Sequence, residues 1–478
     1  MSEVVGGREV DVVVIGAGPV GENLADRAHR GGLSVVLVER ELVGGECSYW
    51  ACMPSKALLL PGHALAAAHR LPGAAQAVTG GLDAAAVLAR RTTFTHGWDD
   101  SSQEEWVGSA GLELLRGTAR LAGERRVVVD APDGTTTVLT ARRAVAVCTG
   151  SVPVLPRLEG LPETPHWTNR EATGAQEVPG ALVVLGGGVV AVEMAQAWQR
   201  LGSRVTLLAR SGLLGGAEPF AGELVGAALA ADGVDVRTGT SPERVAQRGG
   251  QVVVTLPGGE EVVADRLLVA TGRRAAVDTL ALETVGLPGD GPLEVDDSGR
   301  VLAVPGGWLY AAGDVTGRAP LTHQGKYAAR AAGDAIAARA AGDLGDQVPA
   351  WSRYAASADA AAVPQVVFTD PEVASVGLTG REAGERGLDV RVVDVELGAV
   401  AGASLVADGY TGRARLVVDE TRRVVVGATF VGQGVAELLH SATVAVVGEV
   451  PLERLWHAVP SYPTLSEVWL RLLEEYGL

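Results

Sequence analysis

The chain has 478 residues, 47% of them hydrophobic but only 4% aromatic, and a formal net charge of -17. That length can hold several cores, about three domains, and so large an acidic excess excludes nucleic acid and anionic membrane surfaces as partners. The N-terminus has no charged n-region followed by a long apolar stretch, and no uninterrupted apolar run could span a bilayer, so a cytoplasmic protein is expected.

The first element pair lies in "VDVVVIGAGPVGENLADRAHRGGLSVVLVER". An apolar run, Gly16, Gly18 and Gly21, a helical pattern and a second apolar run ending in Glu39 follow in order. This is the order of a dinucleotide-binding crossover. The glycines let the backbone approach a pyrophosphate at the helix N-terminus, and the terminal acid can accept hydrogen bonds from a ribose diol.

Next comes "GGECSYWACMPSKALL", Gly44 to Leu59, which holds two of the three cysteines, Cys47 and Cys52. In a reducing compartment such a close pair points to catalysis, redox exchange or metal binding rather than to a structural staple. Five residues of regular helix rise about 7.5 Å, beyond the roughly 4.4–6.8 Å between Cα atoms that a disulfide tolerates. A bridge therefore needs Cys47 in a loop or distorted turn, with regular helix from near Pro54; Gly44, Gly45 and a proline suited to a first helical position agree. Cys52 at that helix start, near Lys56, would favour the thiolate. A zinc site would need two further ligands, and no suitably spaced Cys or His cluster accompanies the pair. Lys56 and Lys326 are the only lysines in a chain whose basic residues are otherwise arginine, which marks Lys56 as a place where a guanidinium would not serve. Cys148, in an apolar run, reads as a buried small hydrophobe.

The glycine pattern then repeats in "ALVVLGGGVVAVEMAQAWQRLGSRVTLLARSG", with Gly186, Gly188 and Ala191 at the same offsets. Glu39 lies eighteen positions after Gly21, whereas the equivalent position after Ala191 is Ala209, followed by Arg210 and Ser211. An acid there would repel a 2′-phosphate, and a cation with a hydroxyl would welcome it. NADPH is therefore expected in preference to NADH at this second unit.

Two dinucleotide units around a C-x-x-x-x-C-x-P-S-K segment resemble the flavin-dependent pyridine nucleotide-disulfide oxidoreductases, including lipoamide dehydrogenase, glutathione reductase and mercuric reductase. The resemblance covers essentially the whole chain. "AVCTGSVP" with Gly150, "VATGRR" with Gly272, "LYAAGDVTG", "VVFTDPEVASVGLT" and "SYPTLSE" follow in the family's order. It implies an α/β fold of two Rossmann-like domains, one for FAD and one for NAD(P), plus a C-terminal α+β dimerisation domain. The expected bounds are 8–155 and 280–342 for the FAD domain, 156–279 for the nicotinamide domain and 350–478 for the dimerisation domain.

The resemblance also implies roles. Asp314 would reach the ribityl chain of FAD, Gly45 would lie in the flavin site, and Cys52 would face the flavin while Cys47 exchanges with substrate. Lys56 would pair with Glu193. Electrons would run from nicotinamide through flavin to the disulfide and on to a small acceptor, in a homodimer whose subunits share the active site. Family members end in H-P-T-x-x-E, with a histidine acid/base that reaches into the partner's site. Here Tyr462 takes the histidine position and Glu467 the glutamate position. A phenol of ordinary pKa near 10 is a poor base at neutral pH, which sets dihydrolipoamide and glutathione-type chemistry apart from this chain. Mercuric reductases resemble it in that tyrosine but carry a C-terminal cysteine pair, and "RLLEEYGL" has none. Tyr49 and Trp50 are candidates for an acceptor pocket or for packing against a dimer partner.

The leading expectation is thus an NADPH-preferring FAD oxidoreductase that reduces a reactive disulfide, a quinone or another electrophile, without a metal. The alternatives are an NAD-dependent dihydrolipoamide dehydrogenase variant and a non-enzymatic flavin-binding redox sensor.

Overall fold

A computed structural model describes residues 4–478, which divide into two compact units. The first comprises residues up to Met53, Thr92–Pro153 and Arg273–Ala360; the second comprises Pro54–Arg91, Val154–Gly272 and Ala361–Leu478.

The first unit is built on strand β1 (Val4–Ile15), helix α1 (Pro19–Arg30) and strand β2 (Val35–Glu39). β1 pairs in parallel with β2 on one side and with strand Thr136–Val147 on the other. Strand Glu113–Arg116 extends the sheet beyond β2, and Leu309–Ala311 pairs in parallel with the end of Thr136–Val147. Val12, Val13 and Val14 are completely buried, because a parallel sheet covered on both faces takes an uninterrupted β-branched run rather than an alternating one. The start of Thr136–Val147 forms an antiparallel meander with Arg126–Asp130 and Thr118–Leu121.

α1 packs against the long helix Thr322–Ala341, and the contact relies on small residues. A Cβ on Gly325 would come within 2.6 Å of the Val20 side chain, and one on Gly333 within 2.7 Å of Arg27 Cβ and the Leu24 carbonyl oxygen. Arg27 and Asp334 close the far end of this contact with an ion pair at 2.6 Å.

The second unit holds another parallel sheet, in the order Asp235–Arg237, Arg204–Leu208, Ala181–Leu185, Arg266–Val269. It also holds a three-stranded antiparallel sheet, Arg244–Arg248, Gln251–Thr255 and Glu261–Ala264. The C-terminal part is a five-stranded antiparallel sheet, in the order Pro364–Val367, Glu372–Gly377, Val424–Gly432, Arg413–Asp419, Val390–Glu396. Helices Leu439–Val447 and Val468–Tyr476 contribute Leu439, Ala442, Leu472, Leu473 and Tyr476 to its core. The α/β class, with two dinucleotide-type sheets and a mixed C-terminal domain, is as expected. Among the described residues no helix is long and apolar enough to cross a membrane.

Candidate functional site

In the first unit the glycines of the first crossover form a cradle. Gly16 has φ +100°, and a Cβ there would come within 2.5 Å of the Cys148 carbonyl oxygen; one on Gly21 would come within 1.8 Å of the Gly16 carbonyl oxygen. Gly18 precedes α1 with no side-chain cap, so the first N–H groups of the helix stay open to an anion. A Cβ on Gly45 would come within 2.9 Å of Gly18 Cα. Glu39, buried at the end of β2, accepts hydrogen bonds from the amides of Ala17 (2.7 Å) and Glu41 (2.8 Å), which fixes its carboxylate against the glycine turn. Cys148 is buried behind the turn, and its thiol is pushed up to about 12 by burial.

Asp314 lies at the end of the short strand Leu309–Ala311, in a tight turn preceded by Gly313. Its Oδ2 accepts from the Ser151 hydroxyl at 2.6 Å, and Arg273 holds Ser151 through Nε to Oγ at 2.8 Å and Nη2 to the carbonyl oxygen at 2.7 Å. Gly150, at φ +73°, makes the turn before Ser151.

Cys47 sits in a one-turn helix, α2 (Gly45–Tyr49), and Cys52 is the first residue of helix α3 (Cys52–His69). The kink at Trp50 (φ -137°, ψ 0°) separates them. Cys47 thus occupies a short helix rather than a loop, and α3 begins two residues before Pro54. The break between the cysteines is what lets their sulfurs meet. Thr322 opens its own helix with Oγ1 3.3 Å from Cys52 Sγ. The Cys47 thiol is pushed far above its ordinary range, first by its hydrogen bond with Cys52, then by burial and by the charge of Cys52; Thr322 and Lys326 pull the other way. Cys52, at the start of α3 and beside the Thr322 hydroxyl, is the sulfur placed to carry negative charge. Tyr49 is fully buried, so it belongs to the core of this unit and walls neither an acceptor pocket nor a dimer contact.

In the second unit, Lys56 donates from Nζ to Glu193 Oε2 at 2.8 Å and stands over the Phe368 ring, 4.6 Å from its centroid. Glu193 is only 3% exposed, and its other oxygen accepts from the Phe368 amide at 2.8 Å. Gly186, at φ +133°, would clash with the Ala270 carbonyl oxygen if it carried a Cβ, and Gly188 is an uncapped helix start. Ala191 is fully buried on helix Val189–Arg200. Arg210 and Ser211 stand exposed past the end of strand Arg204–Leu208, after the buried Ala209. Gly272 accepts the Val154 amide through its carbonyl.

Tyr462 is 76% exposed. Glu467 does not orient it: Oε1 of the buried Glu467 accepts from Arg471 Nη2 at 3.0 Å, and its Oε2 is buried with no hydrogen-bond partner among the described residues. An arginine one helical turn on thus holds the Glu467 carboxylate. Among the described residues no cluster of His, Cys, Asp or Glu could hold a metal ion.

Residues 10–334 match the pyridine nucleotide-disulphide oxidoreductase family, and residues 363–472 match that family's dimerisation domain. The chain belongs to this family. It is 34% identical to the mercuric reductase of Acidithiobacillus ferrooxidans over 96% of this chain and 81% of that protein. It is 32% identical to the mercuric reductase of Streptomyces lividans over 96% of this chain and 94% of the relative. Among solved structures, the Cu(II) complex of the HOCl-induced flavoprotein disulfide reductase RclA from Escherichia coli matches with a TM-score of 0.82 at 24% identity, covering 98% of this chain and 99% of that one.

Members of the pyridine nucleotide-disulphide oxidoreductases bind FAD and use NAD(P)H, and the residues present fit both groups. The side-chain-free approach of Gly45 to Gly18 and the open amides of α1 suit a pyrophosphate, and the fixed carboxylate of Glu39 suits a ribose. In the second unit Gly186 and Gly188 repeat the cradle without an acid at residue 209. Sequence reasoning missed Thr322, Phe368, Ser151 and Arg273 as supports of the predicted residues. Ser151, Arg273 and Phe368 lie inside motifs that were recognised, while nothing in the local sequence singles out Thr322.

Proposed function

We propose that this chain is an FAD-dependent, NADPH-preferring oxidoreductase that passes electrons through a Cys47–Cys52 disulfide to a small acceptor. The observation that carries this reading is the placement of the cysteine pair, Cys47 in a one-turn helix and Cys52 opening the next helix with Thr322 Oγ1 3.3 Å from its sulfur. Bound FAD would supply hydride acceptance from the nicotinamide and two-electron delivery to the disulfide.

The chain's own residues divide the remaining work. Glu39, Asp314 and the glycine turn bind and orient the flavin, with Gly45 and Gly150 giving it room. Gly186, Gly188, Ala191 and Gly272 serve the nicotinamide cofactor, and Arg210 with Ser211 binds its 2′-phosphate. Lys56, paired with Glu193, keeps a cation at a fixed place on the helix that Cys52 opens. Cys47, the more protonated sulfur, exchanges with the acceptor in a homodimer in which Tyr462 lines the partner's site.

A reactive disulfide, a quinone and, given the name of the mercuric reductase relatives, Hg(II) form the acceptor set to screen. Anaerobic reduction of the yellow protein with NADPH should add two titratable thiols, and stopped-flow reduction should be faster with NADPH than with NADH. An unchanged thiol count overturns the reading, as does NADH preference with brisk dihydrolipoamide turnover.

A further inference from the structure

Arg210 and Ser211 begin a segment that runs to helix Pro219–Ala231. Residues 212, 215 and 216 of this segment are glycine, so few of its own side chains restrain it. It is pinned from outside instead. Just before it, the Ala209 amide donates to the Arg237 carbonyl oxygen at 2.9 Å. In its middle, the Leu214 amide donates to the carbonyl oxygen of Gly187, in the glycine turn, at 2.7 Å. At its far end stands Glu218, only 3% exposed.

The C-terminal domain holds that far end. Glu218 Oε1 accepts from the Gly380 amide at 2.7 Å, and Oε2 accepts from Arg415 Nη1 at 2.8 Å. Arg415 is fixed in turn by Asp394, to which it donates from Nε at 2.7 Å and from Nη2 at 2.7 Å. Two residues beyond Glu218, the Phe220 ring lies 5.2 Å from the Arg415 guanidinium and 5.1 Å from that of Arg413. A cavity of about 530 Å³ lies beside this strap, lined by Gly212, Gly215 and Glu218 and by Thr379 and Arg381 of the C-terminal domain. Part of the segment therefore borders open space rather than packed side chains, and the Glu218 contacts set its distance from the C-terminal domain.

We propose that Arg415 and Glu218 are positioning residues for the nicotinamide cofactor, holding the segment that carries Arg210 and Ser211 where the two can meet a 2′-phosphate. The inference rests on the NADPH preference given above.

The physical link is the burial of Glu218. Without Arg415 its carboxylate keeps a single amide partner, and the cost of leaving that charge desolvated drives it toward solvent. The glycine-rich backbone then moves with it, leaving the Leu214 amide as the one pin between Arg210 and the helix. The turn Gly186–Gly188 stays in place, since it follows strand Ala181–Leu185 and opens helix Val189–Arg200. Loss of the strap thus weakens recognition of a 2′-phosphate and spares the rest of the nucleotide.

The test titrates holoenzyme calorimetrically with adenosine 2′,5′-bisphosphate and with adenosine 5′-monophosphate, which differ in the 2′-phosphate alone. In Arg415→Met and in Glu218→Gln, affinity for the bisphosphate should fall by about twofold to thirtyfold while that for the monophosphate holds, the range over which residues off a ligand modulate its binding. Arg415→Lys offers a point charge where two carboxylates need a fork, so it should lie between these variants and wild type, and it reads the same effect if Arg415→Met does not fold. In an Arg210→Ala background, Arg415→Met should cost clearly less than in wild type, because the strap then has lost the cation it places. In turnover, KM for NADPH should rise with kcat unchanged. Unchanged affinity for the bisphosphate, equal losses for both nucleotides, or an undiminished loss in the Arg210→Ala background overturns the inference. Bisphosphate binding unmoved by Arg210→Ala alone rejects the placement of the phosphate itself and the inference with it, an outcome distinguishable from the other three.

Discussion

Lys56 Nζ lies 2.8 Å from Glu193 Oε2, and the carboxylate that receives it is almost wholly buried. A charge so placed is tolerable only while paired, because removing one partner leaves the other desolvated. Glu193→Gln keeps an acceptor for the Phe368 amide but discards the charge. We expect it to cost about 2–3 kcal/mol of unfolding free energy, less than for a fully buried pair because Lys56 is partly exposed. The double variant Lys56→Met/Glu193→Gln should recover part of that loss. Urea unfolding of the second-unit signal in the four proteins closes the cycle, and strictly additive losses would show that the pair is not coupled.

Glu39 secures the flavin cradle through two amides rather than through any side chain. In Glu39→Ala, the Ala17 and Glu41 amides lose their acceptor and the ribose loses its ligand. The expected result is FAD affinity lower by at least about tenfold, the equivalent of one good hydrogen bond or more. Glu39→Gln should fall between that variant and wild type. Flavin content after gel filtration and titration of apoprotein with FAD measure this directly.

Both dinucleotide crossovers were legible in the sequence because each is a local pattern: an apolar run, glycines at fixed offsets and a helix, all within about thirty residues. The cysteine pair was legible for the same reason, although the short helix holding Cys47 was not, since a single turn bounded by Gly44 and Trp50 has no periodicity to detect. Glu193 was reached only through family resemblance. Thr322, Ser151 and Arg273 were missed because their roles arise from tertiary approach: Ser151 and Arg273 meet across 122 residues of chain. The Glu467–Arg471 pair was within reach, being one helical turn apart, but the likeness to a histidine–glutamate motif drew attention to Tyr462 instead.

His63 supplies a pH dependence separate from catalysis. Burial pushes its imidazole down to about 4, with the Arg200 and Arg70 cations helping and Asp370 opposing. Its Nε2 is buried with no hydrogen-bond partner among the described residues. The folded state thus binds this proton less readily than the unfolded chain. The stabilisation is complete above the ordinary imidazole range near pH 6.5 and is lost as pH falls toward 4, by about 2–3 kcal/mol. Asp370, held low by Arg70 and Arg200 although burial opposes them, loses its own contribution only below the ordinary carboxylate range. His63→Gln should flatten the urea midpoint between pH 6.5 and 4 and leave the steeper loss at lower pH.

Arg210 stands in solvent beyond the buried Ala209, so its replacement touches no core. Arg210→Ala should leave thermal unfolding unchanged and lower the NADPH-to-NADH ratio of kcat/KM by about tenfold or more, the worth of a charge-assisted contact to phosphate. Arg210→Glu should lower it further by repulsion. A ratio that does not move would place the 2′-phosphate elsewhere.

Tyr462 is the residue whose removal should matter least at the cysteines. Its phenol is mostly exposed, and Glu467 gives its one satisfied oxygen to Arg471 rather than to Tyr462. Tyr462→Phe should therefore keep the reoxidation rate of the reduced pair within about twofold of wild type near pH 7, in contrast to the loss a true acid/base group produces. Arg471→Ala should instead lower the urea midpoint of the C-terminal domain, because it leaves the buried Glu467 carboxylate without that partner. The two variants separate the roles: a large loss of reoxidation in Tyr462→Phe, with its stability intact, would give the tyrosine a direct part in the exchange.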